Sequence, residues 1–457
     1  MMRVAEAAQA LGVAHAGGDA EFSAVSTDSR GVKRGDLFVA LKGERFDAHD
    51  FVAQAVRSGA VAVMVDHRLD FDVPQIVVDD TTHALGALAK YWRRRFDIPL
   101  VAVTGSNGKT TVKEMLAAIL REAAQGDAPD AGVLATQGNL NNHIGVPLTL
   151  LELRETHRYA VIEMGMNHAG EIRYISGLAE PSVALINNAG VAHIENLGSR
   201  EAIARAKAEI FEGLRPGGTA VINADDKFAS LWRAVTAHAN QIDFGLEATA
   251  AVSATYKLRA LDSEIVLFTP LGHAAAVVTA PGLHNVRNAL AASAAATALN
   301  LTPVAIAAGL ARFGGAKGRL QKKRALNGAT LIDDTYNANP DSMRAAIDVL
   351  AALGTRKLFV IGDMGELGAD APAMHAQIGE YARAQGVTTL YALGELSAQT
   401  VQAFGAGARH FDSIEELIAQ IRSELSSDMT MLVKGSRFMR MERVVQACAA
   451  DVAEETH

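Results

Sequence analysis

Residues 98–120 constrain the fold more than any other stretch of the chain. An apolar run, Leu100-Val101-Ala102-Val103-Thr104, leads into the turn Gly105-Ser106-Asn107-Gly108. Lys109-Thr110-Thr111 then opens a segment, 109–120, whose apolar residues recur with helical spacing. A β-branched strand with no polar alternation, followed at once by a helix, belongs to a parallel α/β sheet buried on both faces. The turn also specifies chemistry. Its glycines let backbone N–H groups turn inward while the helix directs the positive end of its dipole at the same point, and such a cradle binds phosphates. Lys109 is then placed to reach the β and γ phosphates of a nucleotide, and the Thr110 hydroxyl to ligate a bridging Mg2+. The strict GxxxxGK[ST] spacing is not met, because Val103 stands where its first glycine would be.

The strand and helix rhythm recurs on both sides of this loop. A chain of 457 residues exceeds what one hydrophobic core usually holds. The pattern predicts three domains, 1–94, 95–317 and 318–457. In the first, a strand over 36–41, a helix over 51–59 closed by glycine and a strand over 60–65 form a small α/β module. In the second, strands over 98–104, 159–164, 183–187 and 219–223 predict a doubly wound, mostly parallel sheet around the phosphate loop. Gly314, Gly315 and Gly318 then make a candidate hinge at 313–318. Beyond it, strands over 330–334, 357–362, 389–393 and 429–434 predict a second, Rossmann-like α/β sheet. The Ala-rich stretch 289–311 is broken by Asn300, Thr302 and Pro303, so it reads as two helices and not as a membrane span.

Composition narrows the function classes. Hydrophobic residues at 49% and charged residues at 21% are those of a folded globular chain. The net charge of -8, from 43 basic and 51 acidic residues without a long basic run, argues against a duty dominated by nucleic-acid phosphates or an anionic membrane. The single cysteine, Cys448, excludes a disulfide framework and a CxxC metal clip. Arg3 and Glu6 interrupt the N-terminus too soon for the apolar core of a signal peptide, so a cytoplasmic location is expected.

Four further positions are chemically ambiguous from their own surroundings. Glu163, closing the strand 159–164, fits a metal ligand at a carboxyl edge or a solvated turn residue. His193, after an apolar strand, fits a ligand or a partly buried histidine, and Lys207, in the helical stretch 201–211, reads as a solvated lysine. The cluster Asp333-Asp334-Thr335-Tyr336-Asn337-Ala338-Asn339-Pro340-Asp341-Ser342 reads as a turn followed by an N-capped helix.

Taken together, the motifs resemble the Mur ligases, ATP-dependent amide-bond-forming enzymes of peptidoglycan precursor synthesis, over essentially the whole chain. The segments that carry the resemblance are 105–115, 136–147 (Thr136-Gln137-Gly138-Asn139-Leu140-Asn141-Asn142 at its start), 163–172 (Glu163-Met164-Gly165-Met166-Asn167-His168) and 187–199. They point to the branch that joins D-alanyl-D-alanine to UDP-N-acetylmuramoyl-tripeptide through an acyl phosphate. The Asp-Asn-Pro-Arg motif characteristic of the branch that adds a free diamino acid is absent. The resemblance implies that Gly105, Ser106, Asn107, Gly108, Lys109, Thr110 and Thr111 hold the ATP phosphates. It further implies Asn288 near the adenine, Arg319 at the phosphates, and Asp334 and Tyr336 near the ribose or base. Thr110, Glu163, His193 and Lys207 match Mg2+ ligands, Lys207 as a carbamate, and with Lys109 the last three form the expected catalytic set. Ser29, Arg30, Lys42 and Gly43 fall in a module that resembles a UDP-sugar docking domain. Asn139, Asn142, Asn337, Asn339 and Ser342 are expected to meet substrate in the cleft. The resemblance also gives 318–457 the binding of ATP and the incoming dipeptide, and a monomer that binds no nucleic acid is expected. The rival readings are a related ligase with another acceptor, such as a glutamate-adding folate enzyme, and a nucleotide-dependent regulatory protein that uses its phosphate loop as a switch.

Overall fold

A computed structural model of the chain describes residues 1–43, 46–124, 132–190, 194–354 and 356–450. His193 lies outside the described residues. The chain divides into two compact units, one formed by Met1–Val103, Ala124–Leu185 and Glu209–Ala220, the other by Thr104–Ala123, Ile186–Ala208 and Val221–His457. The architecture is α/β with largely parallel sheets, as the strand and helix rhythm requires.

The first unit begins with a five-stranded sheet ordered His15–Ala16, Gln75–Val77, Ala62–Val65, Asp36–Val39 and Ala24–Ser26, parallel except at the first pair. The predicted helix over 51–59 is a short 3-10 turn, Ala48–Phe51, capped by Asp47, followed by the α-helix Val52–Ser58. It ends where expected. Gly59 takes a left-handed φ of 113°, and a Cβ there would lie 2.8 Å from the Arg34 Cα, so no other residue closes this turn without displacing backbone. Val52 and Ala55 of this helix pack on Phe38, Val63 and Val65 of the sheet.

The sheet that carries the phosphate loop has the strand order Asn240–Phe244, Thr219–Asn223, Val183–Ile186, Leu100–Thr104, Tyr159–Glu163, Val133–Ala135. The loop strand Leu100–Thr104 is buried at all five positions, which explains its unbroken apolar run. Tyr159–Glu163 pairs with it in parallel, setting Glu163 opposite Val103.

In the second unit the sequence reading missed a three-stranded antiparallel sheet, Ser253–Leu258, Ser263–Thr269 and Gly272–Val278. Only its middle strand alternates cleanly, burying Ser263, Ile265 and Leu267, while the flanking strands carry exposed apolar and charged residues that blur the period of two. The Ala-rich stretch is two helices, Leu283–Ala298 and Pro303–Ala311, separated by Asn300 at a left-handed φ of 62° and restarted by the Thr302 cap. Gly309 of the second helix lets it approach the phosphate-loop helix Lys109–Ala124 closely, since a Cβ there would sit 2.3 Å from the Ile119 Cα.

The last sheet has the order Gln321–Arg324, Thr330–Asp334, Met429–Lys434, Arg356–Gly362, Thr389–Leu393, Ala408–Phe411, parallel apart from the first pair. Both of its faces are covered. Helices Pro340–Ala351 and Ala371–Ala384 pack on one side, through Met343, Ile347 and Ile378, and helices Ile414–Glu424 and Glu442–Cys448 on the other, through Leu417, Ile421 and Val444. Among the described residues no helix is long and apolar enough to cross a membrane.

Candidate active site

The turn 105–108 is fixed from outside by asparagines. The Asn187 side-chain amide donates to the Asn107 carbonyl and to Asn288 Oδ1, both at 2.9 Å, and the Asn188 amide reaches the Asn107 carbonyl at 3.0 Å. Asn288 in turn donates to Asn285 Oδ1 at 3.1 Å, and Asn223 donates to the Asn187 carbonyl at 2.8 Å. The Asn107 N–H donates to Asn188 Oδ1 at 2.9 Å. This network leaves no space at Gly108, which takes a φ of 79° and whose Cβ would fall 2.3 Å from Asn288 Oδ1 and 2.5 Å from Asn187 Nδ2. Gly105 is similarly hemmed, since a Cβ there would lie 3.0 Å from Asn187 Cβ. The glycines therefore serve backbone shape and close approach together.

Lys109 arcs back over the turn, its ammonium donating to the Gly105 carbonyl at 2.7 Å. Thr110 accepts from Arg319 Nη2 at 3.2 Å, and the Arg319 guanidinium lies over the Tyr336 ring at 4.2 Å. Asn339 donates to Asn107 Oδ1 at 2.7 Å. Asn339 and Ser342 also form a reciprocal capping box at the start of helix Pro340–Ala351, which contributes about 1 kcal/mol in comparable caps. The turn and N-cap read from the sequence are thus present, and the same asparagine touches the phosphate loop.

A cavity of about 500 Å3 is lined by Asn107, Gly108, Thr111, Asn288, Arg319, Asp334 and Ser342. Asn187, Asn223, Asp226, His284, Arg287 and Lys434, which the sequence reading did not assign to a site, line it too. Its size is that of a small-molecule site. Asp334 accepts from Lys434 at 2.6 Å and from the Leu320 N–H at 3.2 Å, and both members of the ion pair are buried. Burial pushes the Asp334 carboxyl up and the Lys434 ammonium down, and the attraction between them opposes both shifts. Burial, aided by the charges of Lys434 and Arg287, lowers His284 to about 4, so this ring is neutral at pH 7.

Lys207 is not the solvated lysine that its own helical stretch suggests. It is buried in helix Arg200–Ala208, 2% exposed, and no described carboxylate pairs with it. Burial first, and the charge of Lys109 second, hold its amine well below the usual lysine range.

In the first unit, Glu163 is buried at the end of its strand. Its Oε1 accepts from the Asn141 amide at 2.8 Å, and its backbone N–H donates to Thr136 Oγ1 at 2.9 Å. Its Oε2 is buried without a partner among the described residues, the environment in which a carboxylate oxygen fits a hard divalent cation. Asn141 lies in the segment 136–147 that carries the family resemblance, and this contact with Glu163 is legible only in the fold. Asn142 accepts from the Ile144 and Gly145 N–H groups at 3.2 and 2.9 Å, starting helix Gly145–Leu151, and Asn139 is exposed.

The candidate sugar-nucleotide module presents Ser29, Arg30, Lys42 and Gly43 within the first unit. Arg30 pairs with Asp28 at 2.7 Å and holds its carboxyl at about 2, while Lys42 lies 3.8 Å from Asp47. Ser29 is nearly buried, and the Gly43 N–H donates to the Phe46 carbonyl at 3.0 Å.

Comparison with known proteins places the chain among ATP-dependent ligases. The Mur ligase family, catalytic domain, matches residues 21–93, the Mur ligase middle domain residues 103–296, and the Mur ligase, glutamate ligase domain, residues 318–437. The chain belongs to the Mur ligase family. It is 43% identical over 435 residues to the UDP-N-acetylmuramoyl-tripeptide--D-alanyl-D-alanine ligase of Escherichia coli (strain K12), covering 94% of each chain. It is 35% identical over 439 residues to the Bacillus subtilis (strain 168) enzyme of that name, covering 92% of each. MurF from Acinetobacter baumannii superimposes with a TM-score of 0.89 at 39% identity over 97% of each chain. The MurF ligase from Thermotoga maritima in complex with ADP superimposes at 0.81 with 27% identity, over 93% of this chain and 96% of that one.

Proposed function

We propose that this chain joins D-alanyl-D-alanine to UDP-N-acetylmuramoyl-tripeptide at the expense of ATP, as a cytoplasmic monomer in peptidoglycan precursor synthesis. The observation that carries the reading is the asparagine-clamped turn 105–108 beside Lys109, Thr110 and Arg319, in a chain 43% identical over 435 residues to a ligase of that name. The ligand chemistry matches. A polyphosphate needs inward N–H groups and cations, and the second unit sets Arg319 and Lys434 on one cavity, with Lys109 next in the chain to Gly108 of its lining.

The reaction follows from the weakness of a carboxylate as an acyl donor. The terminal carboxylate of the tripeptide attacks the γ phosphorus and ADP leaves, giving an acyl phosphate. The amine of D-alanyl-D-alanine then attacks the acyl carbon and phosphate leaves. Lys109 and Arg319 neutralise charge on the transferring group, and Asn288, Asp334 and Tyr336 orient the nucleoside. Glu163, Thr110, His193 and a carbamylated Lys207 would hold Mg2+, which supplies charge neutralisation at the phosphates when bound. The depressed amine of Lys207 supports carbamylation, because only a neutral amine adds CO2, releasing a proton to leave an N-carboxylate. Ser29, Arg30, Lys42 and Gly43 receive the UDP end, and Asn139, Asn142 and Asn337 face the peptide. Residues 1–94, 95–317 and 318–457 act as three functional domains, with 313–318 as the hinge between the last two.

The test is phosphate release from ATP and Mg2+ with UDP-N-acetylmuramoyl-tripeptide, with and without D-alanyl-D-alanine, followed by mass spectrometry of the product. Release that needs both partners, with a UDP-pentapeptide mass, supports the reading. Turnover indifferent to either partner overturns it.

A further inference from the structure

In the C-terminal sheet the strand order reverses at Met429–Lys434, which lies between Thr330–Asp334 and Arg356–Gly362. The helices that follow Thr330–Asp334 and Arg356–Gly362 pack on one face of the sheet, and the helix that follows Met429–Lys434 packs on the other. Connections that leave neighbouring strands toward opposite faces open a crevice at the carboxyl ends, where open α/β sheets bind ligands. The nucleotide cavity takes one flank of that crevice, through Asp334, Ser342 and Lys434. The other flank is formed by the loops after Arg356–Gly362 and Met429–Lys434, and no residue there has yet been given a part in holding the incoming dipeptide expected of this domain.

A single residue ties these loops together. The Ser436 N–H donates to the Asp363 carbonyl at 3.0 Å, its hydroxyl accepts from the Gly365 N–H at 2.8 Å, and the same hydroxyl donates to the Ala338 carbonyl at 3.3 Å. The next residue, Arg437, therefore leaves from a fixed point where three strand ends meet. Its side chain is 66% exposed, and one edge of the guanidinium makes a single contact with Glu442, at 3.1 Å. Most of its five donors remain for a ligand. The acidic groups nearby are already committed. Asp363 caps helix Ser397–Phe404 through the Ser397 N–H at 2.7 Å, Asp333 accepts from Thr335 at 2.7 Å, and Asp334 is paired with Lys434. Beside Arg437, Phe438 is 63% exposed, with its ring edge 2.9 Å from where a Cβ on Gly365 would stand, so Gly365 gives this ring its seat.

We propose that Arg437 binds the terminal carboxylate of the incoming dipeptide, with Phe438 backing its methyl groups. The chemistry matches on both counts. A guanidinium grips a carboxylate through parallel N–H bonds, and an aromatic edge suits a small apolar side chain. This inference rests on the ligase reading, and it makes Arg437 a selector of acceptors that end in a free acid.

The experiment compares D-alanyl-D-alanine with D-alanyl-D-alaninamide, which lacks the charge, in the complete reaction with ATP, Mg2+ and UDP-N-acetylmuramoyl-tripeptide. The wild-type protein is expected to show a KM about 10- to 100-fold lower for the acid than for the amide. Arg437→Ala is expected to lose that preference while the KM values for ATP and the UDP-tripeptide change less than about threefold, and Arg437→Lys to retain part of it. Arg440→Ala, in the same exposed turn, is expected to keep it. A preserved acid-to-amide ratio in Arg437→Ala, including one accompanied by a uniform fall in kcat, overturns the assignment, as does its loss in Arg440→Ala or its absence from the wild type. No pentapeptide from wild-type protein with either acceptor would instead overturn the ligase reading, and this inference with it.

Discussion

Gly108→Ala tests the link between the asparagine network and the phosphate loop. The new Cβ would stand 2.3 Å from Asn288 Oδ1 and 2.5 Å from Asn187 Nδ2, distances at which one of these groups must move. Moving Asn187 breaks two bonds of 2.9 Å, to Asn107 and to Asn288, each contributing about 1 kcal/mol. Holding an alanine at a φ of 79° adds about 1–2 kcal/mol. The sum is roughly 3–4 kcal/mol, and because the strain sits in the cradle itself it should appear as about 150- to 1,000-fold weaker nucleotide binding. Isothermal titration with a non-hydrolysable ATP analogue reads this directly, alongside urea unfolding. Gly177→Ala supplies the control. That glycine lies inside helix Glu171–Ala179 with nothing within 4 Å of its would-be Cβ, so alanine should stabilise the protein by about 0.5–1 kcal/mol and leave binding alone. Nucleotide affinity in Gly108→Ala within twofold of wild type would refute the argument that the network shapes the loop.

Other expectations concern buried charge. Lys434→Met strands the buried Asp334 carboxylate and should cost about 3–5 kcal/mol in urea unfolding, more as pH rises, with Asp334→Asn restoring part of the loss in the double variant. Because His284 is held at about 4 against an ordinary 6.5, the unfolded chain takes up its proton first as pH falls. Stability should therefore decline between about pH 6.5 and 4, by up to roughly 3 kcal/mol, and a His284→Gln variant should flatten that limb of the unfolding profile. Incubation with 13C-bicarbonate should give a carbamate carbon signal that Lys207→Ala and Lys207→Arg abolish, and a spectrum unchanged by Lys207→Ala would exclude this lysine as its carrier.

The sequence carried the fold where packing is one-dimensional. Strands over 219–223, 330–334, 389–393 and 429–434 fall at the bounds predicted, because a strand buried on both faces writes itself as an apolar run between turns. The antiparallel sheet 253–278 was illegible, since its flanking strands expose residues that its middle strand would bury. The phosphate loop was legible from glycine spacing. Its supports were not, because Asn187, Asn223 and Asn285 meet only through tertiary contact, and asparagine in a sequence signals turns and caps as readily as a buried network. Lys207 shows the same limit from another side. Its helix, Arg200–Ala208, is polar enough to read as solvated, and only the fold reveals that this lysine is buried.

The most direct test of the account is the fate of oxygen. UDP-N-acetylmuramoyl-tripeptide labelled with 18O in its terminal carboxylate should, on ligation to D-alanyl-D-alanine, pass one labelled oxygen into each phosphate released and keep the other in the new amide. Pentapeptide formed with unlabelled phosphate would contradict activation of the carboxylate by ATP, and with it the chemistry assigned to Lys109 and Arg319.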